Sequence, residues 1–391
     1  MAEAARTPPP PRTVLIAPDT FKGSLSSVEV ADALAIGWRR ARPADVLRLA
    51  PLADGGEGTL DAIAASGGWH VHEVPALDPL GRPRAARFLR SGDRAVIELA
   101  EASGLSRLAD RELDALGAST FGTGEVITAA VALGVRRIVL GLGGSATNDG
   151  GSGLLRALGA RFLDAAGVEL APGGGALAGI ARADLSGLLP ALAEVEFEVA
   201  SDVTNPLLGE HGAAATYGPQ KGASAAQVAQ LDAALGRYAD VLEAATRRRA
   251  RDEVGAGAAG GTTFGLLAIA DRFRAFAVRP GIDVCIELTG FADRLETADL
   301  VLTGEGRIDR QTAFGKTVLG VARRAHARGV PCIAFGGGIT AEGIAALAEW
   351  GTVVVPVSEG PMSVIEAMAA GAAPIERAAE RVARIASVTL D

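Results

Sequence analysis

The chain has 391 residues, enough for two or three domains at about 150 residues each. Its 49% hydrophobic and 21% charged content excludes a disordered chain, and its 51 glycines follow no three-residue period, which excludes collagen. A net charge of −8 speaks against a nucleic-acid-binding surface. The one basic run, Arg247-Arg248-Arg249-Ala250-Arg251, reads as a solvated helix end.

The opening MAEAARTPPPPRT lacks an apolar core, so 1–12 is expected to be a disordered Pro-rich leader rather than a signal peptide. No apolar run approaches the roughly 18 residues of a membrane span. Two cysteines, Cys285 and Cys332, cannot form a disulfide framework. Each lies in an apolar, strand-like stretch, and a cytoplasmic protein is expected.

Thr13–Ala17 reads as a buried strand. Ser26, with Glu29 three residues on, caps a helix running to about Arg40. Val46–Leu49 is a second strand, and Thr59 to about Ser66 a second helix. This β-α-β-α order implies a parallel sheet. Short alternating runs at 69–74, 85–89 and 95–99 read instead as antiparallel strands. A helix is expected over 122–133, a strand over 137–140, a helix over 153–163, a strand over 195–200 and a long helix over 227–249. The last third returns to α/β alternation. Strands are expected at 299–302, 331–335 and 352–357, and helices at 315–328, 341–350 and 363–370. The reading is of two α/β domains. One is a parallel, flavodoxin- or Rossmann-like domain built from 13–65 plus 286–391, and the other a mixed domain inserted at 66–285.

Ligands of open parallel sheets bind beyond the carboxyl ends of the strands. That rule nominates Asp19, Asp54, Glu57, Asn148, Asp149, Asp202, Asn205, Glu305 and Asp309. The loop Gly141–Gly151 holds five glycines between a strand and a helix. Bare N–H groups at a helix start suit phosphate. The loop also spells G-x-G-x-x-A at Gly141, Gly143 and Ala146. Asn148-Asp149-Gly150-Gly151 interrupts that dinucleotide-type fingerprint, and Gly255, Gly257 and Gly260 follow no strand. Gly315-Lys316-Thr317 ends like a P-loop, but Arg310 stands where the first glycine belongs. Only three of the 38 cationic residues are lysine, namely Lys22, Lys221 and Lys316. All three fall in Gly-rich or Pro-punctuated segments, where a compact point charge against a phosphate cannot be replaced by arginine. No Gly-x-Ser-x-Gly elbow and no His/Cys zinc spacing occurs. Glycines, carboxylates and lysines without a nucleophile match what phosphoryl transfer needs. A nucleotide-dependent oxidoreductase and a small-anion sensor remain as alternatives.

Seven ordered segments resemble the glycerate kinase type-1 family. They are Ile16–Leu25, Ala53–Thr59, Gly143–Gly151, Ser201–Leu207, Gly218–Ala223, Gly255–Gly261 and Thr303–Asp309. Thr20 stands where that pattern favours Ser, and Phe314–Thr317 varies around the lysine; neither removes a charge. The resemblance implies ATP-dependent phosphorylation of D-glycerate, with 2-phosphoglycerate favoured over 3-phosphoglycerate and a site between two α/β domains. It implies Asp202 as the base, with Lys22 and Lys316 beside it in catalysis. Mg²⁺ would be held among Asp54, Glu57, Asp149, Glu305 and Asp309. Substrate and phosphate contacts would come from Asp19, Ser24, Gly143, Gly144, Ser145, Asn148, Asn205, Lys221, Arg279 and Arg307. Its partners would be glycerate and ATP, with no nucleic acid or membrane, on a monomer or homodimer.

Overall fold

A computed structural model describes residues 10–388, apart from 110, 111, 311, 313–316 and 362. The strands are β1 (Thr13–Ile16), β2 (Val46–Leu49), β3 (His70–Leu77), β4 (Pro83–Ser91), β5 (Arg94–Glu98), β6 (Arg137–Gly141) and β7 (Arg161–Leu163). They continue with β8 (Arg182–Asp184), β9 (Glu196–Ala200), β10 (Ala275–Arg279), β11 (Leu300–Ile308), β12 (Cys332–Ile339) and β13 (Thr352–Pro356). No helix among the described residues is long and apolar enough to cross a membrane.

The chain forms two compact α/β units. The first holds the chain up to Asp54, then Asp61–Gly67, then the chain from Ile282 onward. Its sheet has the order β13-β12-β11-β1-β2 and is parallel throughout. The helix Ser27–Ala41 begins with Ser26 and Glu29 capping each other's backbone. It buries Val30, Leu34 and Trp38 over Val14, Ile16, Leu302 and Phe335, with Ile375 and Ala379 of the helix Ala373–Ile385 packed beside them. The buried Trp38 donates Nε1–H to Asp45 at 2.9 Å, and Arg42 pairs with the same carboxylate.

The second unit is Gly55–Leu60 with Gly68–Gly281. Its sheet has the order β10-β9-β6-β5-β4-β3. β5, β6, β9 and β10 run parallel, while β3 and β4 form the antiparallel extension that the alternating runs predict. The core joins Phe88, Ile97, Leu140, Leu154 and Phe197. Tyr238 lies edge-on between Phe162 and Phe264.

Four local expectations are corrected. The helix expected over 153–163 stops at Ala157, because Gly159 turns at φ +109° and Arg161–Leu163 pairs with β8. Cys285 lies in a helix, Gly281–Leu288, whose Ile282, Cys285 and Ile286 are buried at helical spacing. β11 and β12 run well past their apolar stretches. Their glycine-rich ends pair residue for residue, Glu305 with Gly336 and Arg307 with Gly338. Glu305 and Arg307 therefore stand on a strand and not in a loop. Residues 55–60 precede the expected boundary at 65 yet pack with the second unit. Gly143 N–H donates to the Gly55 carbonyl, and Leu60 N–H to the buried Glu98 carboxylate at 2.5 Å.

Candidate functional site

In the first unit the strand order reverses between β1 and β11, where β1 leads outward to β2 and β11 to β12 and β13. Such a switch point opens a crevice at the carboxyl ends of the strands. Asp19 follows β1 there, its N–H held by the Gly304 carbonyl at 2.8 Å. Thr303 donates its hydroxyl to the Ala17 carbonyl and locks the two strand ends together. Burial, and then the negative charge of Asp54, push the Asp19 carboxyl up to about 6. The Thr20 N–H, donating at 2.6 Å, and the nearby Thr317 hydroxyl oppose that rise. Thr317 opens the helix Thr317–Ala327 and is fully buried.

Glu305, buried on β11, accepts the Thr312 hydroxyl at 2.6 Å. The Thr312 oxygen in turn receives the Asp309 N–H. Arg307 is largely exposed and pairs with Asp309 at 2.9 Å. Lys22 is exposed in the turn Phe21–Leu25, which Phe21 and Leu25 close on each other. Ser24 donates its hydroxyl to the Met368 carbonyl at 3.3 Å. Lys316 lies outside the described residues. The first unit thus gathers Asp19, Asp54, Glu305, Asp309, Arg307 and Lys22 at the carboxyl ends of β1, β2 and β11. All its acidic donors are oxygen. Among the described residues, no three of His, Cys, Asp and Glu form a group that could hold a metal ion.

Glu57, exposed, belongs to the second unit with the segment Gly55–Leu60, although Asp54 three residues earlier belongs to the first. In that second unit the loop Gly141–Gly151 leaves β6. A Cβ on Gly143 would stand 2.2 Å from Gly56 Cα, so the two strands of chain touch only because both are bare.

The anion at the start of the following helix, Ser152–Ala157, is supplied by the chain itself. Asp149, fully buried, accepts N–H bonds from Thr120, Gly151 and Gly153 and the Thr120 hydroxyl. Burial raises its carboxyl, and these donors oppose the rise. The carboxylate stands at the helix start to which the sequence reading gives phosphate, and both of its oxygens carry donors from the chain. The N–H groups of Gly143, Ala146, Thr147 and Gly150 are also taken within the chain. Only Gly143 and Gly144 of the loop reach solvent. Ser145 is turned inward onto Thr147. Asn148 is fully buried, and neither end of its amide has a hydrogen-bond partner.

Lys221 is buried as well. Its Nζ donates to the Thr147 carbonyl at 2.6 Å and to the Ser145 hydroxyl at 3.4 Å. Burial lowers its pKa to about 7, against the pull of Asp149. After β9, Asp202 is exposed and accepts the Gly281 N–H at 3.1 Å. Asn205 bridges its own loop, donating to His211 O and Thr216 and accepting from Tyr217. Arg279, ending β10, pairs with Glu198 at 2.7 Å.

Sequence reasoning passed over Thr303, Thr312 and Glu98. Glu98 ends a strand, so the rule that nominates Asp202 reaches it too. The two threonines carry no signal of their own, since only tertiary pairing puts their hydroxyls on Ala17 and Glu305.

The profile of the Glycerate kinase family matches residues 14–387. A glycerate kinase of Halalkalibacterium halodurans is 43% identical over 96% of this chain and 98% of its own length. A glycerate 2-kinase of Escherichia coli K12 is 43% identical over 84% of this chain and 85% of its own. The crystal structure of a protein provisionally designated glycerate kinase 2, from Salmonella typhimurium LT2, superposes with a TM-score of 0.83 at 40% identity, covering 96% of this chain and 98% of that one. A match along nearly the whole chain, in sequence and in fold, means that this chain belongs to the glycerate kinase family and is a kinase.

Proposed function

We propose that the chain transfers the γ-phosphoryl group of ATP to the C2 hydroxyl of D-glycerate, releasing 2-phosphoglycerate and ADP, with Mg²⁺ as cofactor. The observation that carries the substrate and the position is the 43% identical relative named glycerate 2-kinase. Phosphoryl transfer asks a protein mainly for positioning and charge neutralisation. The switch-point crevice of the first unit offers both.

Asp19 and Asp54 fit Mg²⁺. Both are oxygen donors, and burial first, with the Asp54 charge second, raises the Asp19 carboxyl to about 6, so a cation beside it would be favoured. Mg²⁺ commonly takes one or two carboxylates and completes its shell with water and phosphate oxygens, so a pair suffices. Glu305 and Asp309 are the further oxygen donors of this set, and Glu57 is an outlying one. When bound, Mg²⁺ would neutralise charge on the transferring group. Lys22 and Lys316 would set point charges against the phosphates, and Ser24 would lend a hydroxyl oxygen.

Asp202 is the proposed base for the substrate hydroxyl proton. The Gly281 N–H fixes its orientation, and the side chain is exposed at the end of β9. Arg279 or Arg307 would clamp the glycerate carboxylate with the planar fork of its guanidinium. Gly143 and Gly144 would line the substrate with bare backbone. We place the enzyme in the cytoplasm as a monomer or homodimer; neither cysteine is in a disulfide and both are buried, as a reducing compartment allows.

The test is a coupled ADP-release assay with D-glycerate, followed by phosphorus NMR of the product. 2-Phosphoglycerate is expected. A 3-phosphoglycerate product overturns the position, and absence of ADP release with D-glycerate overturns the reading.

A further inference from the structure

A lysine in a phosphotransferase invites the reading that it touches phosphate. The surroundings of Lys221 contradict that reading. It ends a single 3-10 turn, Pro219–Lys221, that Gly222 closes in the left-handed region at φ +91°. This turn directs the side chain into the core. The residue is 2% exposed. Its amine is committed to two oxygens of one short stretch, the Thr147 carbonyl and the Ser145 hydroxyl.

That buried stretch directly follows the solvent-facing part of the Gly141–Gly151 loop, Gly143 and Gly144. Ser145 stands beside Gly143 and Gly144. Behind it lies Asn148, whose amide has no partner of its own to hold it. The loop is fixed at Asp149 by five donors, at Gly144 and Ala146 by backbone hydrogen bonds with Leu105 and Ser103, and at Thr147 and Ser145 by the Lys221 amine. Backbone bonds hold the stretch at Ala146, but the Thr147 carbonyl and the Ser145 hydroxyl are met from the distant Pro219–Lys221 turn by the Lys221 amine.

We infer that Lys221 is a positioning residue: from inside the core its amine holds the Ser145–Asn148 turn, and with it Gly143 and Gly144, in the shape that receives substrate, without contacting substrate itself. The inference rests on the proposal that this loop lines the substrate. What matters is then a hydrogen-bond donor of the right reach, not a positive charge. An arginine fork would not fit beside a turn packed this closely, which explains a lysine in a chain that otherwise uses arginine.

Three lysines in the whole chain make the direct test clean. The native enzyme is treated with an N-hydroxysuccinimide ester of acetate and read by peptide mass spectrometry. Lys22 is expected to acylate in the native state. Lys221 is expected to acylate only after denaturation and to stay unlabelled in the native state with or without ATP and glycerate. Native labelling of Lys221 at a rate like that of Lys22, with protection by those ligands, overturns the inference. This arm needs no variant and no activity, and wild-type turnover of glycerate, measured first, tests the substrate reading by itself.

The second arm compares Lys221→Met with Lys221→Gln, each checked for folding by its melting curve. Met removes the donor, and Gln keeps one without the charge. Met is expected to lower kcat roughly 10- to 100-fold, the span of a lost buried hydrogen bond, with KM changed less than about threefold. Gln should recover most of that loss. A KM effect in which Gln is as poor as Met marks a charge contact with substrate and overturns the inference. So does full activity in both.

Discussion

Replacing Asp19 by Asn should stabilise the protein while it destroys the enzyme. The Asp19 carboxyl sits at about 6 against an ordinary 3.8, first because it is buried and second because Asp54 is near. A carboxyl whose folded pKa is raised gives its full stability only below the unfolded pKa. Between 3.8 and about 6 the folded state holds the extra proton, so stability falls as pH rises through that window. Above it the penalty is complete. A rise of two units is worth about 3 kcal/mol at 1.36 kcal/mol per unit, an upper figure for a half-buried group. Asn cannot ionise, and its Oδ1 still accepts the Thr20 N–H.

The assay is the melting midpoint of both proteins from pH 4 to 8 in chelator. At pH 8 the Asn variant should melt higher, by roughly 5–10 °C at 2–4 °C per kcal/mol. The gap should close toward pH 4. Adding Mg²⁺ should raise the wild-type midpoint and leave that of the variant nearly unchanged, because the cation offsets the repulsion that Asn has already removed. A variant that melts at or below wild type at pH 8, or a gap that does not depend on pH, refutes the argument.

Other outcomes follow from the same sites. Exhaustive chelation should abolish turnover, and Mg²⁺ or Mn²⁺ should restore it, as oxygen-only donors require; full activity in chelator refutes the metal. Lys22→Arg and Lys316→Arg should each lose roughly a hundredfold in kcat/KM with unchanged melting, by analogy with deleted transition-state contacts. Near-wild-type kinetics in both would move the phosphate contacts to the arginines. Asp149→Ala should cost about 3–5 kcal/mol in denaturant unfolding, since three buried N–H groups lose their acceptor. That loss should be the same with and without Mg²⁺, and a Mg²⁺-dependent loss returns Asp149 to the metal set.

Much of the fold is legible because local signals agree with the tertiary outcome. Ser26-x-x-Glu29 predicts a capping box and forms one. The alternating runs at 69–99 predict antiparallel strands and form β3, β4 and β5. Illegible segments are those where pairing overrides composition. Gly304 and Gly306 read as a loop because glycine weakens a strand. Here a Cβ at Gly304 would meet the Phe335 carbonyl at 2.5 Å and one at Gly337 the Gly306 carbonyl at 2.6 Å. These glycines are what lets β11 and β12 run on together toward the switch point.

The candidate site divides along the same line. A strand-end carboxylate is visible in sequence, but its task depends on what donates to it. Asp19 and Asp149 both follow strands, and both have raised carboxyls. Asp149 collects Thr120, Gly151 and Gly153 from two chain segments and becomes the cap of its own helix. Asp19 has one backbone donor and a second carboxylate for a neighbour. The first has its charge answered by protein, and the second needs a proton or a cation to answer it. Lysine scarcity marks both kinds of position equally, since Lys22 is exposed and Lys221 is enclosed. A residue type that resists replacement reveals a geometric demand, and only the surroundings tell whether the demand comes from a ligand or from the fold that shapes its site.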